Sequence, residues 1–341
     1  SHNVKKASKG KVTSEEFPWY GYQNDDGEWQ GASDTAKAVG IIIANPGFAD
    51  VVSLEGVADT KNKSIPLIAL PTTSGTAAEV TINYVITDEA NKKKMVCVDP
   101  KDIPVVAIVD SDLMMGMPKG LCASTGMDAL THAIEGYITK GAWELSDMVE
   151  LRAIELIAGS LYDSVQGDPK ARETMALAQY IAGMGFSNVG LGIVHSMAHK
   201  TGAAFADYGA HIIHGAANAM YLPKVIAFNA KDETAKKRYG VIADFMGLGG
   251  ANDDEKVKLL IAYLRKMNDE LKIPHCIKNY GADSYPTENG FVPENVFLER
   301  LPEIAKNAIA DACTGSNPRI PTQEEMEKLL KCCYYDTEVD F

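Results

Sequence analysis

The stretch that decides the fold class lies just beyond the first third of the 341-residue chain. It reads Gly126-Met127-Asp128-Ala129-Leu130-Thr131-His132-Ala133-Ile134-Glu135-Gly136-Tyr137. Asp128 and His132 are four residues apart, so a helix would bring both side chains to one face. Most of their neighbours are apolar, and an unpaired polar group among them would be costly. The stretch therefore predicts a helix whose acid and imidazole either bind each other or share a cation.

Helical patterns continue from this stretch to the end of the chain, and no strand pattern follows Pro118. Residues 117–341 are therefore predicted to form an all-α domain that begins at Gly116-Met117-Pro118. The predicted helices cover residues 123–139, 143–163, 170–184, 191–204, 215–229, 233–247, 254–271, 296–313 and 322–335.

Strand and helix patterns alternate ahead of this boundary, so residues 1–116 are predicted to form an α/β domain. A helix is expected to begin at Ser33 or Asp34, either of which can cap it. Strands are predicted at 65–70, 80–87 and 94–98, and the polar loop Thr72-Thr73-Ser74-Gly75-Thr76 follows the first. The continuous apolar run at 105–110 predicts a strand buried on both faces.

Composition narrows the function classes. The chain is 46% hydrophobic and 23% charged, which is typical of a globular enzyme. Its net charge of −13, with Lys and Arg scattered or in short runs, argues against nucleic acid as a partner. No run approaches the ~20 apolar residues of a membrane-spanning helix, so we expect a cytoplasmic protein without a membrane partner. The six cysteines lack C-x-x-C spacing and are expected to be reduced.

A second pair of polar residues repeats the helical spacing. His195 and His199 are four residues apart, and His211 and His214 follow before Gly215. One carboxylate with two or three imidazoles suits Fe(II), Zn(II), Mn(II) or Co(II). Spacing alone does not say which histidines would bind such a cation and which one would face a substrate.

Together these motifs resemble the iron-containing alcohol dehydrogenase family. The resemblance runs from about Asp34 to the end of the chain. It implies a nucleotide-binding, Rossmann-like N-terminal domain, incomplete here, and a helical C-terminal domain that binds metal and substrate. The stretches that carry it are residues 80–88, 96–100, 126–137, 139–143, 182–199 and 214–219.

The resemblance also implies a role for each site residue. The resemblance places His199 against the substrate and the nicotinamide. It makes His214 a metal ligand, because Gly215 and a helix follow this residue as they do in the family motif. His211 is the alternative ligand, which we disfavour. The implied ligands of one divalent metal are Asp128, His132, His195 and His214. The implied dinucleotide contacts are Thr72, Thr73, Thr76, Asn83 and Lys94, although Lys94 alone, in a run of three lysines, would indicate a solvated face.

The implied reaction is hydride transfer between NAD(P)H and a short aldehyde such as lactaldehyde. Lactaldehyde and 1,2-propanediol are the expected substrates, with ethanol and butanol as alternatives. The metal would act as a Lewis acid on the carbonyl oxygen, and His199 would pass the proton. Fe(II) is the expected metal and Zn(II) the alternative, NAD(H) is expected rather than NADP(H), and the expected assembly is a homodimer.

The N-terminal residues depart from the family pattern. The family carries a Gly-Gly-Gly-Ser diphosphate loop before the helix that starts here at Asp34, but residues 28–33 read Glu-Trp-Gln-Gly-Ala-Ser. One βαβ unit needs roughly 30 residues, and the polar residues 1–33 leave little room for several. We expect either a stretch missing near Gln30-Gly31, which we favour, or a truncated sheet with poor dinucleotide affinity.

Two other functions stay open at this point. One is a non-catalytic or cofactor-deficient homologue that acts as an assembly or scaffold element. The other is a metal-dependent lyase of the dehydroquinate synthase type, a family that does not combine the two motifs around His132 and His195.

Overall fold

The computed structural model describes residues 22–23, 29–30, 33–88, 93–202, 204–283, 285–286 and 290–341. The chain divides into two compact units. The α/β unit takes the described residues up to Pro71 together with Ala78–Asp88 and Met95–Ile108. The helical unit takes Thr72–Ala77, the described part of Glu89–Lys94, and Val109–Phe341, so it begins ahead of the predicted boundary at 116.

The α/β unit contains one long helix, α1 (Ser33–Ala44), and short strands. The strands are β1 (Tyr22–Gln23), β2 (Trp29–Gln30), β3 (Gly56–Val57), β4 (Ile68–Ala69), β5 (Asn83–Asp88), β6 (Lys93–Val98), which belongs to this unit from Met95 onward, and β7 (Val106–Ala107). They form an antiparallel β1-β2 pair, a sheet of order β3-β6-β5, and a parallel β4-β7 pair. The predicted strands at 80–87 and 94–98 correspond to β5 and β6, which are neighbours in one sheet.

One buried lysine ties α1 to the chain around β5. Ala38 and Ile41 of α1 pack in a small core, and Lys37, one residue earlier, is 1% exposed. Lys37 Nζ donates to the carbonyl oxygens of Thr81 at 2.6 Å and Asn83 at 2.9 Å. Burial lowers the pKa of Lys37 to about 8, against the pull of nearby carboxylates. The carbonyls therefore take the place of water around this ammonium group.

The prediction of a strand over 105–110 buried on both faces is wrong. Only Val106–Ala107 forms a strand, and it pairs with β4 alone in the described residues. Val105, Val106 and Ile108 are 66%, 44% and 45% exposed. A parallel strand is buried on both faces only where other layers cover its sheet, and these exposures show no such cover among the described residues. The Rossmann-like arrangement stays a prediction.

The helical unit contains each helix that the periodicity predicts. Proline, glycine and a side-chain cap set two of the helix ends. The helix α3 (Glu144–Gln166) ends at Gly167, which is in the left-handed conformation. The helix α4 (Pro169–Val189) begins at Pro169, and the Asp168 side chain before it accepts from the Ala171 N–H at 2.7 Å. The helices are α2 (Lys119–Ile138), α3 (Glu144–Gln166), α4 (Pro169–Val189), α5 (Ile193–Thr201), α6 (His214–Asn229), α7 (Glu233–Phe245), α8 (Asp253–Glu270), α9 (Glu294–Ile309) and α10 (Gln323–Tyr335).

Helix α2 lies at the centre of this unit. It packs against α3, α4 and α6, and almost every residue from Cys122 to Ile138 is buried. Leu130, Ala133 and Ile134 are each 0% exposed. Polar side chains on α2 are consequently held in the interior, where they need partners from the neighbouring helices.

Three sequence expectations concern particular segments. The expectation for residues 1–33 lies outside the described residues, apart from β1, β2 and Ser33. All six cysteines are free thiols. No single helix in the described part of the chain has the length and hydropathy of a membrane span; α4 and α5 reach them only as a pair that bends by 103°.

Candidate metal centre

One face of α2 carries the polar residues of the site. Asp128, His132 and Glu135 follow one another at helical spacing, and they are 2%, 5% and 1% exposed. His132 Nε2 lies 3.9 Å from Asp128 Oδ1. The face meets α5 and α6, which supply the remaining groups.

Three donor atoms from three helices converge beside this face. His195 Nε2 on α5 and His214 Nε2 on α6 each lie 3.4 Å from Asp128 Oδ1, and the three atoms lie within 4.8 Å of one another. Ligands held tetrahedrally at ~2.1 Å from one ion would be spaced by about 3.4 Å. The set therefore fits a divalent cation, with the carboxylate and imidazole donors that Fe(II) and Zn(II) accept.

His132 lies at the edge of this set. Its ring stacks on His195, with centroids 4.4 Å apart, and on Phe186 at 4.3 Å. It is the one implied ligand outside the group of mutually close atoms. The structure thus brings together all four residues that the resemblance implied as ligands, with His132 the most distant.

Glu135, to which the sequence motifs assign no role, fixes the orientation of His195. Its Oε2 lies 2.7 Å from His195 Nδ1, and it accepts from the Gly192 N–H at 3.1 Å. Its Oε1 accepts from the Val194 N–H at 2.8 Å. The carboxylate therefore caps the N-terminus of α5 and leaves His195 Nε2 for the donor set. Its spacing of three residues from His132 was the signal that could have found it.

A close helix crossing places His214. A Cβ atom at Gly215 would lie 1.9 Å from the carbonyl oxygen of Ser124, so only glycine lets α6 start this near to α2. Asp128 lies one helical turn after Ser124 on α2, so the close approach of α6 brings His214 beside Asp128. His211 is exposed and is not among the grouped donor atoms.

Asn218, one turn after His214 on α6, aims its amide into the set. Asn218 Nδ2 donates to Asp128 Oδ1 at 2.7 Å and lies 3.2 Å from His195 Nε2 and 3.4 Å from His214 Nε2. Asn218 is 0% exposed, and its Oδ1 has no hydrogen-bond partner. Asn218 lies within the stretch 214–219 that carries the family resemblance, and its spacing of four residues from His214 is the sequence signal for its place on the same helix face.

His199 stands beside the donor set. Its ring stacks on that of His214, with centroids 5.2 Å apart and planes inclined by 3°. Its Nδ1 lies 3.2 Å from Asp311 Oδ2, which also accepts from Lys200 Nζ at 2.8 Å. Burial lowers the pKa of His199, Asp311 opposes this, and His195 and Lys200 add to the lowering. The surroundings of His199 therefore favour its neutral form.

The electrostatics of the set follow from one carboxylate among several imidazoles. Burial alone would raise the pKa of Asp128, but His132, His214 and His195 hold it well below its usual range. Burial also opposes charge on His195, yet its bonds to Asp128 and Glu135 raise its pKa to about 9. Burial lowers the pKa of His132 to about 3. The site thus holds a charged carboxylate that attracts positive charge.

The residues implied for the dinucleotide fall in both units. The loop Thr72–Ala77 belongs to the helical unit, where Thr72 and Thr76 are exposed and Thr73 is half-buried. Gly75 packs tightly there, since a Cβ atom would lie 2.7 Å from Thr125 Cβ. Lys94 belongs to the same unit, and its backbone carbonyl accepts from Lys200 Nζ at 3.4 Å. Asn83 lies on β5 in the α/β unit.

Known proteins resemble this chain in sequence and in fold. The family described as iron-containing alcohol dehydrogenase matches residues 31–111, and the C-terminal region of the same family matches residues 122–334. The chain is 51% identical to lactaldehyde reductase of Escherichia coli (strain K12) over 298 residues, which cover 87% of this chain and 72% of that protein. It is 46% identical to an NADPH-dependent butanol dehydrogenase of Clostridium saccharobutylicum over 310 residues, 90% of this chain and 75% of that protein.

Solved structures show the same fold. A 1,3-propanediol oxidoreductase superposes with a TM-score of 0.78 and 34% identity, covering 89% of this chain and 75% of that chain. An alcohol dehydrogenase from Oenococcus oeni gives 0.78 and 35%, covering 89% and 74%. The chain belongs to the iron-containing alcohol dehydrogenase family and is close to lactaldehyde reductase.

Proposed function

We propose that this protein is a metal-dependent alcohol dehydrogenase that transfers hydride between a nicotinamide cofactor and a short aldehyde such as lactaldehyde. The observation that carries the proposal is the donor set formed by Asp128, His195 and His214, with His132 at its edge. A scaffold protein would gain nothing from a buried carboxylate surrounded by imidazoles. The motifs of both α2 and α5 also favour this function over a lyase.

The chain's own groups would hold the metal. Asp128, His132, His195 and His214 are the proposed ligands, with Glu135 holding His195 in place. A bound divalent ion would supply Lewis acidity toward the substrate oxygen, and the nicotinamide would supply the hydride. The family name favours Fe(II), and Zn(II) is the alternative that the same donors accept.

His199 is the proposed proton carrier. It is 6% exposed, its lowered pKa favours the neutral ring, and it lies against His214 rather than within the donor group. A neutral imidazole can take a proton from an alcohol, directly or through a water or ribose hydroxyl, and return it during aldehyde reduction. Its burial limits exchange of that proton with bulk water.

Thr72, Thr73, Thr76, Asn83 and Lys94 are the proposed dinucleotide contacts, and NAD(H) is the proposed form. Among relatives, one is named as NADPH-dependent and another, from Bacillus methanolicus, as NAD-dependent. Titration calorimetry of the protein with each dinucleotide decides between them. Absence of binding to both would favour a cofactor-deficient homologue. We also propose a homodimer, which light scattering tests.

The activity test uses protein prepared without oxygen and loaded with Fe(II) or Zn(II). We expect oxidation of NADH with lactaldehyde, and metal content near one ion per chain by elemental analysis. Aldehydes leading to ethanol, butanol and 1,2-propanediol, compared by kcat/KM, would identify the preferred substrate. Metal-loaded, NADH-binding protein that reduces none of them would contradict the proposal. Activity with Zn(II) alone would overturn the iron assignment.

A further inference from the structure

Asp311 lies directly behind His199, in the turn that follows α9. Its Oδ2 is 3.2 Å from His199 Nδ1 and 2.8 Å from Lys200 Nζ, and its Oδ1 accepts from the Cys313 N–H at 3.1 Å. Asp311 is 6% exposed, and the two side chains that share its Oδ2 are also largely buried. A carboxylate this buried gains little from solvent and depends on these partners.

The turn that carries Asp311 is fastened to the helix that carries His199. Thr314 Oγ1 lies 2.7 Å from Ser196 Oγ, and the Ile193 N–H donates to Asn317 Oδ1 at 3.3 Å. Both contacts involve α5, on either side of His195. Asp311 and His199 therefore keep a fixed relation, which a carboxylate on a loose loop would not have.

We infer that Asp311 is a positioning residue for His199: its carboxylate accepts the Nδ1–H and so reserves Nε2 as the nitrogen that exchanges a proton with the substrate alcohol. The inference rests on the proposed function of His199. In the neutral ring one nitrogen donates and the other accepts, and a fixed acceptor at Nδ1 selects which. Asp311 is thus proposed to determine the tautomer and the direction of the ring.

The proton balance is simple. During alcohol oxidation the O–H bond of the alcohol, or of a relaying hydroxyl, breaks as the Nε2–H bond forms. His199 then carries one positive charge, which the Asp311 carboxylate stabilises. During aldehyde reduction the same proton leaves Nε2 for the alkoxide oxygen. Asp311 gains and loses no proton in either direction.

Lys200 excludes a different interpretation of the cluster. His199, Asp311 and Cys313 offer three atoms within 4.8 Å of one another, a spacing that could suit a second metal ion. The Lys200 ammonium, 2.8 Å from Asp311 Oδ2, already places a positive charge there. It also keeps Asp311 ionised, so that the carboxylate accepts from His199 rather than donating to it.

The first test observes the tautomer without any activity. Protein labelled with ¹⁵N-histidine is prepared metal-free, and the His199 signals are assigned as those lost in His199→Ala. We expect a protonated Nδ1 and an unprotonated Nε2 near pH 8. In Asp311→Asn the amide can donate to Nδ1, so the Nε2–H tautomer should gain population. A protein of natural sequence that shows Nε2–H overturns the inference, whether or not Asp311→Asn folds.

The second test is a double-mutant cycle on the metal-loaded enzyme. Asp311→Asn should lower kcat on the order of 10²-fold, with KM for the aldehyde and metal content little changed. His199→Ala should lower kcat at least as much, and the double variant should be no slower than His199→Ala. If the fold-changes in kcat of Asp311→Asn and His199→Ala multiply in the double variant, Asp311 acts independently of His199 and the inference is contradicted.

Asp336 provides a matched control for Asp311. Asp336 is another carboxylate that bridges two cations, Lys224 at 2.7 Å and Arg265 at 2.8 Å, away from α5. Asp336→Asn should reduce stability. Any effect that it has on kcat should be independent of His199, so in the double variant its fold-change should multiply with that of His199→Ala. If His199→Ala leaves kcat unchanged, both the proton role of His199 and the inference fail. If the natural protein has no activity, the proposed function fails and the tautomer still decides the inference.

Discussion

Asn218 Nδ2 lies 2.7 Å from Asp128 Oδ1, so a side-chain amide donates to the carboxylate that the proposed metal would bind. The same nitrogen is 3.2 Å from His195 Nε2. Its hydrogens carry partial positive charge into the centre of a set of acceptors. The amide therefore gives the carboxylate a partner in metal-free protein, where a buried charge without one would be costly.

Asn218→Ala should destabilise metal-free protein more than metal-loaded protein, because a bound cation provides the partner that the amide otherwise supplies. We expect a loss of about 1–3 kcal/mol without metal and a smaller loss with it. Thermal unfolding with chelator and with saturating metal measures both. The control is Asn268→Ala, which removes a buried amide donating to the Ala219 carbonyl at 2.8 Å and should cost the same in both states. Equal losses for Asn218→Ala would contradict the expectation.

Gly215→Ala should weaken metal binding through backbone geometry. The added Cβ would lie 1.9 Å from the carbonyl oxygen of Ser124, and a backbone atom cannot rotate away. The start of α6 must then move, and with it His214. We expect a stability loss of about 1–3 kcal/mol and at least a tenfold fall in metal affinity, measured by competition with a chelator.

The matched control for that substitution is Gly159→Ala on α3. A Cβ atom there meets nothing within 4 Å, so alanine should stabilise the helix by up to about 1 kcal/mol and leave metal affinity unchanged. A Gly215→Ala protein that binds metal as tightly as Gly159→Ala would show that α6 can shift without moving His214.

Glu135→Gln should lower metal affinity by roughly 10- to 100-fold, since the carboxylate orients His195 at 2.7 Å and makes its ring a better donor. The amide still fits the space but removes the charge that also caps α5. Chelator competition measures the affinity. Glu155→Gln, on the exposed face of α3, is the control and should change nothing. Unaltered affinity in Glu135→Gln would show that the cap alone positions His195.

The helices and the two pairs of polar side chains on shared faces were predictable because both depend on local spacing. Asp128 with His132, and His195 with His199, are each four residues apart, and a helix turns that spacing into a shared face. Caps such as Asp168 before Pro169 mark helix ends in the same local way. That three helices would aim Asp128, His195 and His214 at one point came from the family resemblance and not from spacing.

The remainder depends on contacts between distant residues. Val105 and Ile108 have the composition of a buried strand, but strand burial depends on which layers cover the sheet, and both are exposed. The predicted helix over 296–313 concealed Asp311, because α9 ends at Ile309 and leaves the carboxylate in a turn. Asp311 and His199 are 112 residues apart in the chain. No period in the sequence links them.

The buried carboxyl group of Glu150 should make the free energy of unfolding depend on pH. It lies on α3 with 0% exposure, and neither carboxylate oxygen has a hydrogen-bond partner in the structure. It fits because Gly136 and Gly185 lack side chains: a Cβ atom at either would lie 2.1 or 2.3 Å from its Oε1. Burial, aided by the nearby Asp147, raises the pKa of Glu150 well above its usual range, so the folded protein holds a neutral carboxylic acid.

Because the folded pKa is raised, the unfolded chain releases this proton at a lower pH than the native protein does. Between the two pKa values the unfolded state binds fewer protons, and the free energy of unfolding must fall as pH rises. Below the pKa of Glu150 in the unfolded chain, about 4, both states hold the proton and this pH dependence of the free energy of unfolding disappears. Glu150→Gln cannot ionise, so its stability advantage over the natural protein should grow by about 1.4 kcal/mol per pH unit until the folded pKa is passed. Urea unfolding of metal-free protein from pH 5 to 9 measures the difference, and a difference that stays constant over that range would show that Glu150 is charged in the folded protein.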